Sequence, residues 1–255
     1  MSLVSPVRAL RAAFVFLTRI PVGGFPYTDD EWRWAPAFFP VVGLVVGAGL
    51  GGIDRALGPL GFLVAALGAL AASLLATGAF HEDGLADTSD ALGGGFDRDK
   101  ILLILKDSRV GAFGASALVI SIVGRAALLA RLGPDAALAL PLVGMAARAA
   151  PVWQIAALPY VSSAASRSPG VTRAGALQAC IATVWTLAGA GAMIATGHAS
   201  ATRMGSMLAA MAAVTLVSGW RYTRRLGGIT GDFLGATEQL CELAGYGALA
   251  WGLPS

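Results

Sequence analysis

Charge is what this sequence has least of. Only 13% of its 255 residues are Asp, Glu, Lys or Arg, where an ordinary soluble domain carries roughly a quarter. With 56% hydrophobic residues, 34 glycines and a mean hydropathy of +0.71, a water-facing surface would expose far more apolar area than monomers tolerate. The scarcity argues against a soluble enzyme and makes a multi-pass membrane protein the default class. Cysteine is rarer still. Cys180 and Cys241 both lie in apolar stretches, where they act as small hydrophobes and cannot support a disulfide framework. The pI near 9.2 comes with a formal net charge of only +3, too small and too scattered to argue for nucleic acid. Nor does a long apolar run open the chain: the longest uncharged run there, residues 12–18, is too short for a signal-peptide core. Residues 1–22 therefore read as an amphipathic interfacial helix. There is no internal repeat, no low-complexity tail and no dividing linker, so residues 1–255 read as one domain. A G-x-x-x-x-G-K phosphate loop is also missing. Gly47, Gly49 and Gly52 fit G-x-G-x-x-G but follow no strand, and close helix packing through small residues replaces the dinucleotide reading.

What the chain does contain is apolar sequence in bilayer-sized lengths. A spanning helix takes about 20 residues, and seven stretches approach this: 35–53, 59–80, 111–132, 136–158, 174–197, 204–220 and 233–253. The expected fold is all-α, a polytopic transmembrane helix bundle of about seven spans, six if one weak stretch drops out, with the N-terminal interfacial helix beside it. Thirteen of the 18 Lys and Arg fall in four segments that share one side. These hold Arg8, Arg11, Arg19 and Arg33; Arg98, Lys100, Lys106 and Arg109; Arg167 and Arg173; and Arg221, Arg224 and Arg225. The opposite side has Arg55, Arg131 and Arg203, and Arg125 and Arg148 sit within spans. That asymmetry turns the richer side to the cytoplasm.

On that side, residues 81–109 contain seven of the fifteen acids of the chain and carry a net charge of −3. Asp83, Asp87 and Asp90 are spaced i, i+4 and i+7, which places all three on one face of a helix continuing from the second span. Like charges at that spacing repel unless something neutralises them. Mg²⁺ does so well, taking a few carboxylates and filling its other positions with water and phosphate oxygens. The plain alternative is a solvated acidic helix end. His81 is either a substrate contact or an amphipathic interfacial residue. Asp107, Ser108 and Arg109 precede the glycines at 111 and 114, where an arginine fork suits a diphosphate and an ordinary positive-inside anchor suits equally. In the segment 224–238, glycines around Thr230, Gly231 and Asp232 let backbone amides approach a phosphate; a helix N-cap is the alternative reading of Asp232. Glu238 and Glu242, in the seventh stretch, are costly in a bilayer. They either face a polar cavity or pair with Arg125 or Arg148.

The stretch FHEDGLADTSD at 80–90, Asp107-Ser108-Arg109-Val110-Gly111 and GGITGDFLGA at 227–236 closely resemble the cobalamin synthase family, the adenosylcobinamide-GDP ribazoletransferases. The opening Phe16-Leu17-Thr18-Arg19-Ile20-Pro21 and Phe39-Pro40-Val41-Val42-Gly43 look like the same family, so the resemblance runs nearly end to end. Ala91 departs from it, where the family usually has glycine. The resemblance implies a polytopic enzyme of the inner (plasma) membrane, its site facing the cytoplasm, that uses Mg²⁺. It implies that adenosylcobinamide-GDP reacts with α-ribazole or its 5′-phosphate, giving adenosylcobalamin or its 5′-phosphate and releasing GMP, the last assembly step of the lower nucleotide loop.

Phosphoryl transfer asks mainly for positioning and charge neutralisation. On this reading Asp83 and Asp87 ligate Mg²⁺, and Asp90 completes the set or accepts the hydroxyl proton. Arg109 neutralises the departing GMP, with Asp232 as a further catalytic acid. His81, Asp107, Ser108, Thr230 and Gly231 are expected to contact substrate. Two rivals stand beside it. A CDP-alcohol phosphotransferase-like lipid enzyme needs an arginine where Asp87 stands. An ion-coupled transporter would explain the ionisable residues within spans but places them near the midplane between repeated halves. The sequence leaves oligomeric state open, a homo-oligomer included.

Overall fold

Small residues decide the tightest packing in the molecule. The structure is a computed structural model that describes residues 5–161 and 170–253, so Arg167 lies outside the described residues. Its chain order is α1 (Pro6–Leu17), α2 (Asp29–Trp34), α3 (Phe39–Leu57), α4 (Phe62–Thr77), α5 (Phe80–Gly94), α6 (Arg98–Ile104), α7 (Ala112–Leu132), α8 (Ala136–Ala157), α9 (Ala176–Ala195), α10 (Ala201–Leu226) and α11 (Gly231–Ala250). Among the described residues the only β-type pairing is an isolated parallel bridge between Tyr160 and Ile229. The fold is all-α, as its hydropathy requires.

Gly43, Gly47 and Gly51 recur every four residues along α3 and meet α8. A Cβ at these positions would stand 2.1 Å from the Gly144 carbonyl oxygen, 2.5 Å from Pro141 Cα and 2.3 Å from the Ala137 carbonyl oxygen. Where lipid competes on equal apolar terms, such backbone approach supplies the dispersion contact that holds helices together. Gly49 and Gly52 face open space, so the packing stripe shares only Gly47 with the G-x-G-x-x-G match. The first helix is amphipathic as expected. It buries Ala9, Ala12, Ala13 and Leu17, and its Arg8 pairs with Glu31 of α2.

Four stretches are long and apolar enough to cross a membrane: Asp29–Leu60, Ala112–Ala157, Ala176–Ala195 and Ala201–Leu226. The bent pair Phe62–Thr77 and Phe80–Gly94 makes five. The second of the four contains both α7 and α8, separated by a turn at Gly133 with φ 56°. α11 is less apolar than these, carrying Asp232, Glu238, Gln239 and Glu242. Seven crossings are thus compatible with these helices, although four or five pass on length and composition. The chain is a membrane protein. At one end of the bundle Arg203 donates to the Leu249 carbonyl at 2.7 Å and pairs with Asp135 at 3.4 Å, and Arg131 donates to the Leu253 carbonyl. Two of the three bases expected on the arginine-poor side therefore share that end.

The second stretch does not continue straight into the acidic segment. Gly78 (φ 70°) and Ala79 (φ 58°) both take left-handed backbone, and α5 leaves α4 at 90°. For Ala79 that conformation costs about 1–2 kcal/mol. The bend is what lays α5 against α7 and α11, and it fixes where the acids of α5 end up.

Candidate functional site

Gly84 is the point of contact between the two acid-bearing helices. A Cβ there would sit 2.7 Å from the Asp232 carbonyl oxygen and 3.2 Å from Gly235 Cα. This close crossing sets Asp232, in the first turn of α11, beside Asp83 and Asp87 of α5. The charges of Asp83, Asp232 and Asp90 are all felt at Asp87, and that of Asp83 at Asp232. Asp83 is exposed, whereas Asp87, Asp90 and Asp232 are half-buried. Among the described residues no Lys, Arg or His comes within 4.0 Å of these four carboxylates. In kind they suit a hard divalent cation, since they are oxygen donors with uncompensated charge. They have not drawn together around one: no group of three described His, Cys, Asp or Glu residues is placed to hold a metal ion.

Asp90 has another employment. Its two oxygens accept from the backbone N–H of Gly111 at 2.7 Å and of Gly114 at 2.9 Å, satisfying donors that the first turn of α7 cannot pair internally. Negative charge at a helix N-terminus is favourable there as well. The same contact explains the glycines, because a Cβ at Gly114 would lie 2.3 Å from an Asp90 oxygen and one at Gly111 2.5 Å from the other. They make room for a carboxylate of the protein itself.

The loop after α6 is only partly brought in. Ser108 and Arg109 are exposed, and Arg109 forks onto its neighbour Asp107, with Nη2 at 2.7 Å and Nε at 2.9 Å from its carboxylate. These bonds hold the Asp107 carboxyl well below its usual range, at about 2. Arg109 does not touch the carboxylates of α5, but it lies two residues before the amide that Asp90 holds.

At the start of α11 the N-cap is Thr230, whose hydroxyl accepts from the Phe233 N–H; Asp232 stands inside the first turn. Gly227 closes α10 in the left-handed region at φ 84°. Gly228 packs on Pro159, where a Cβ would come within 2.1 Å of the carbonyl oxygen. Gly231 remains exposed beside Thr230. Two of the glycines near the expected phosphate turn thus serve chain reversal and packing.

Behind this face lies a second set of ionisable groups, fully inside the bundle. Arg125 reaches Glu242 at 2.8 Å and Glu82 at 3.2 Å. Arg148 reaches Glu238 at 3.0 Å and Glu242 at 3.6 Å. His81 Nδ1 stands 3.8 Å from Glu238. Glu238 and Glu242, left open between a polar cavity and arginine partners, are therefore paired. His81 and Glu82 join them, because adjacent positions on α5 point about a third to a half of a turn away from the aspartates. The sequence signal for Glu82 is its place directly before Asp83 on a helix that must be buried on one side.

The model of the cobalamin-5-phosphate synthase family matches residues 9–250. The chain belongs to the cobalamin-5-phosphate synthase family. The match runs from α1 to the last residue of α11, so it covers every helix that carries a site residue. Among its relatives, the adenosylcobinamide-GDP ribazoletransferase of Polaromonas sp. strain JS666 is 39% identical over 97% of this chain and 98% of its own length. That of Rhizobium johnstonii is 39% identical over 94% and 95%, and that of Allorhizobium ampelinum 37% over 99% and 100%. No solved structure matches the chain.

Proposed function

We propose that this protein is an adenosylcobinamide-GDP ribazoletransferase of the inner membrane, working on the cytoplasmic face. Family membership and the names of near full-length relatives support the reaction; Asp83, Asp87 and Asp232, whose charges act on one another with no described Lys, Arg or His within 4.0 Å, are the observation in the molecule that carries the chemistry. An acceptor hydroxyl and a nucleoside diphosphate are what such a face handles, since phosphoryl transfer depends on charge neutralisation and alignment.

In this reaction the 3′-hydroxyl of α-ribazole, or of its 5′-phosphate, attacks the phosphorus attached to the cobinamide arm. The new P–O bond forms as the bond to GMP breaks, and GMP leaves with the bridging oxygen. Asp83 and Asp87 would hold Mg²⁺, which when bound supplies Lewis-acid neutralisation of the diphosphate. Asp232 accepts the hydroxyl proton. Asp90 acts through α7 by anchoring the turn that carries Arg109. The Arg109 fork, released from Asp107, meets the charge that grows on GMP.

The test uses purified protein in lipid with adenosylcobinamide-GDP, α-ribazole and Mg²⁺. A cobamide and GMP should form one to one, chelation should stop both, and CDP-diacylglycerol should not serve as donor. Turnover of CDP-diacylglycerol, or none of the cobinamide donor, would overturn the reading.

A further inference from the structure

A cavity of about 70 Å³ lies beside the carboxylates, enclosed by α1, α3, α5, α8 and α11. Three aromatic rings form one wall. Phe16 and Phe39 stack at 5.6 Å with planes 8° apart, and Phe80 meets Phe16 edge-on at 5.5 Å. Polar side chains line it too, His81, Arg148 and Glu238, with the His81 ring 5.3 Å from that of Phe80. Arg148 and Glu238 are almost wholly buried; Arg148 Nε has no hydrogen-bond partner, and the Glu238 oxygen 3.0 Å from Arg148 Nη1 has only that ion pair. Unmet polar groups of this kind are costly unless a ligand or water completes them. The volume is several times what one water needs, and apolar walls with a few convergent polar groups are the usual form of a small-molecule site.

Two features define what would fill it. Flat aromatic walls favour a flat aromatic guest in offset or edge-to-face contact, and the unused Nε–H of Arg148, a lining residue, calls for a hydrogen-bond acceptor on that guest. The location adds a third. Phe80 precedes Asp83 and Asp87 by three and seven residues, so all three share a face of α5, while Gly231 and Gly235 of the lining flank Asp232. A ring seated in the cavity would carry its attached sugar toward the carboxylates.

We propose that this cavity seats the aromatic base of the acceptor, with the unsubstituted ring nitrogen of the benzimidazole accepting from the Arg148 Nε–H and the ribose projecting toward Asp83, Asp87 and Asp232. This inference rests on the reading of the reaction given above. It makes the acceptor a nucleoside recognised by its base inside the membrane-embedded part of the protein, and it assigns Phe16, Phe39 and Phe80 to acceptor specificity.

The experiment uses the full chain in lipid nanodiscs, with benzimidazole itself as the probe, in the absence of donor and Mg²⁺. Calorimetry should detect benzimidazole binding to the wild type. Thr172→Trp places bulk at the half-buried rim of the cavity, and Phe80→Ala removes a partly exposed aromatic wall; each should weaken that binding at least tenfold. In turnover the same variants should raise the KM for α-ribazole at least tenfold and leave the KM for adenosylcobinamide-GDP within twofold. No benzimidazole binding to the wild type, equal binding to both variants, or parallel shifts in both KM values would overturn the proposal. Wild-type turnover without benzimidazole binding sinks this inference alone. Benzimidazole binding that both variants abolish, in a wild type that makes no cobamide, leaves the aromatic site standing and sinks the transferase reading.

Discussion

Two sets of three carboxylates lie within a few residues of one another on α5 and α11, and they live differently. Glu82, Glu238 and Glu242 are enclosed by the bundle and closed off by Arg125 and Arg148. Among the described residues, Asp83, Asp87 and Asp232 have no Lys, Arg or His within 4.0 Å. Glu82 and Asp83 are sequence neighbours yet fall in different sets, so the direction in which an acid leaves its helix decides whether it serves structure or chemistry. Inside, ionised groups are tolerated because each has a partner whose removal would strand a charge. At the rim, the missing partner is what suits the carboxylates to a cation. The inner set also answers the transporter alternative, since the charges within the spans are spent on one another.

The sharpest way to break the comparison is to remove a cation from the inner set. Arg125→Ala leaves Glu82 and Glu242 buried without it, and losing one partner of such a pair costs about 3–5 kcal/mol, a large share of the roughly 5–15 kcal/mol by which folded domains are stable. A thermal unfolding scan and a size-exclusion profile should show a large loss of folded protein; an unchanged profile would mean that the inner charges are not structural. The outer set should behave in the opposite way. Asp83→Asn and Asp87→Asn are expected to lower turnover by roughly a hundredfold or more, about 2.7 kcal/mol in the barrier, with an unfolding temperature equal to or above wild type because repulsion is relieved. Full activity in either variant removes that carboxylate from the chemistry.

A smaller and more selective effect is expected from the cation itself. Mg²⁺ at about a hundred times its dissociation constant should stabilise the wild type by roughly 2.7 kcal/mol, and a titration followed by unfolding temperature should lose that gain in Asp83→Asn. If the gain survives there, the ion sits elsewhere. Asp90→Ala should cost about 1 kcal/mol, as for other lost helix caps, with the first amides of α7 exchanging faster with deuterium; unaltered exchange would deny it the anchoring role. The mildest change is Arg109→Lys, which keeps charge and loses the fork. It should raise the donor KM several-fold and leave stability untouched, and identical kinetics would leave Arg109 as a topology anchor. Arg109 holds the Asp107 carboxyl down to about 2. A lowered pKa favours the pair at all pH values above the ordinary carboxylate range, and the benefit fades only as pH falls toward 2. The loop should therefore contribute no pH dependence to kcat between about pH 5 and pH 8.

Much of this was legible from residues alone. Hydropathy locates every long helix of the bundle, because about 20 apolar residues have few other uses, and helical spacing puts Asp83 and Asp87 on one face of α5; that Asp232 joins them depends on the crossing at Gly84, which spacing does not show. The bend at Gly78 and Ala79 was not legible: an alanine in left-handed backbone leaves no mark in composition, and residues 59–90 read as a span running straight into an acidic helix. The sequence reading makes Asp90 a metal ligand or proton acceptor and gives the glycines at 111 and 114 no role beyond a flexible stretch after the Arg109 fork. Their real contact joins positions more than twenty residues apart, which spacing rules do not reach. Arg109 was read for its chemistry, and its fork on Asp107 is a local bond that only coordinates reveal. His81 and Glu82 belonged with the inner arginines, a pairing that depends on which face of α5 the fold turns inward.

The meeting of α5 and α11 at Gly84, where main chain abuts main chain, means that the interval between the two rows of acids is gauged by backbone atoms. A gap dimensioned in this way keeps its width when surrounding side chains drift, and a single methyl at Gly84 would act as a wedge that widens it from end to end.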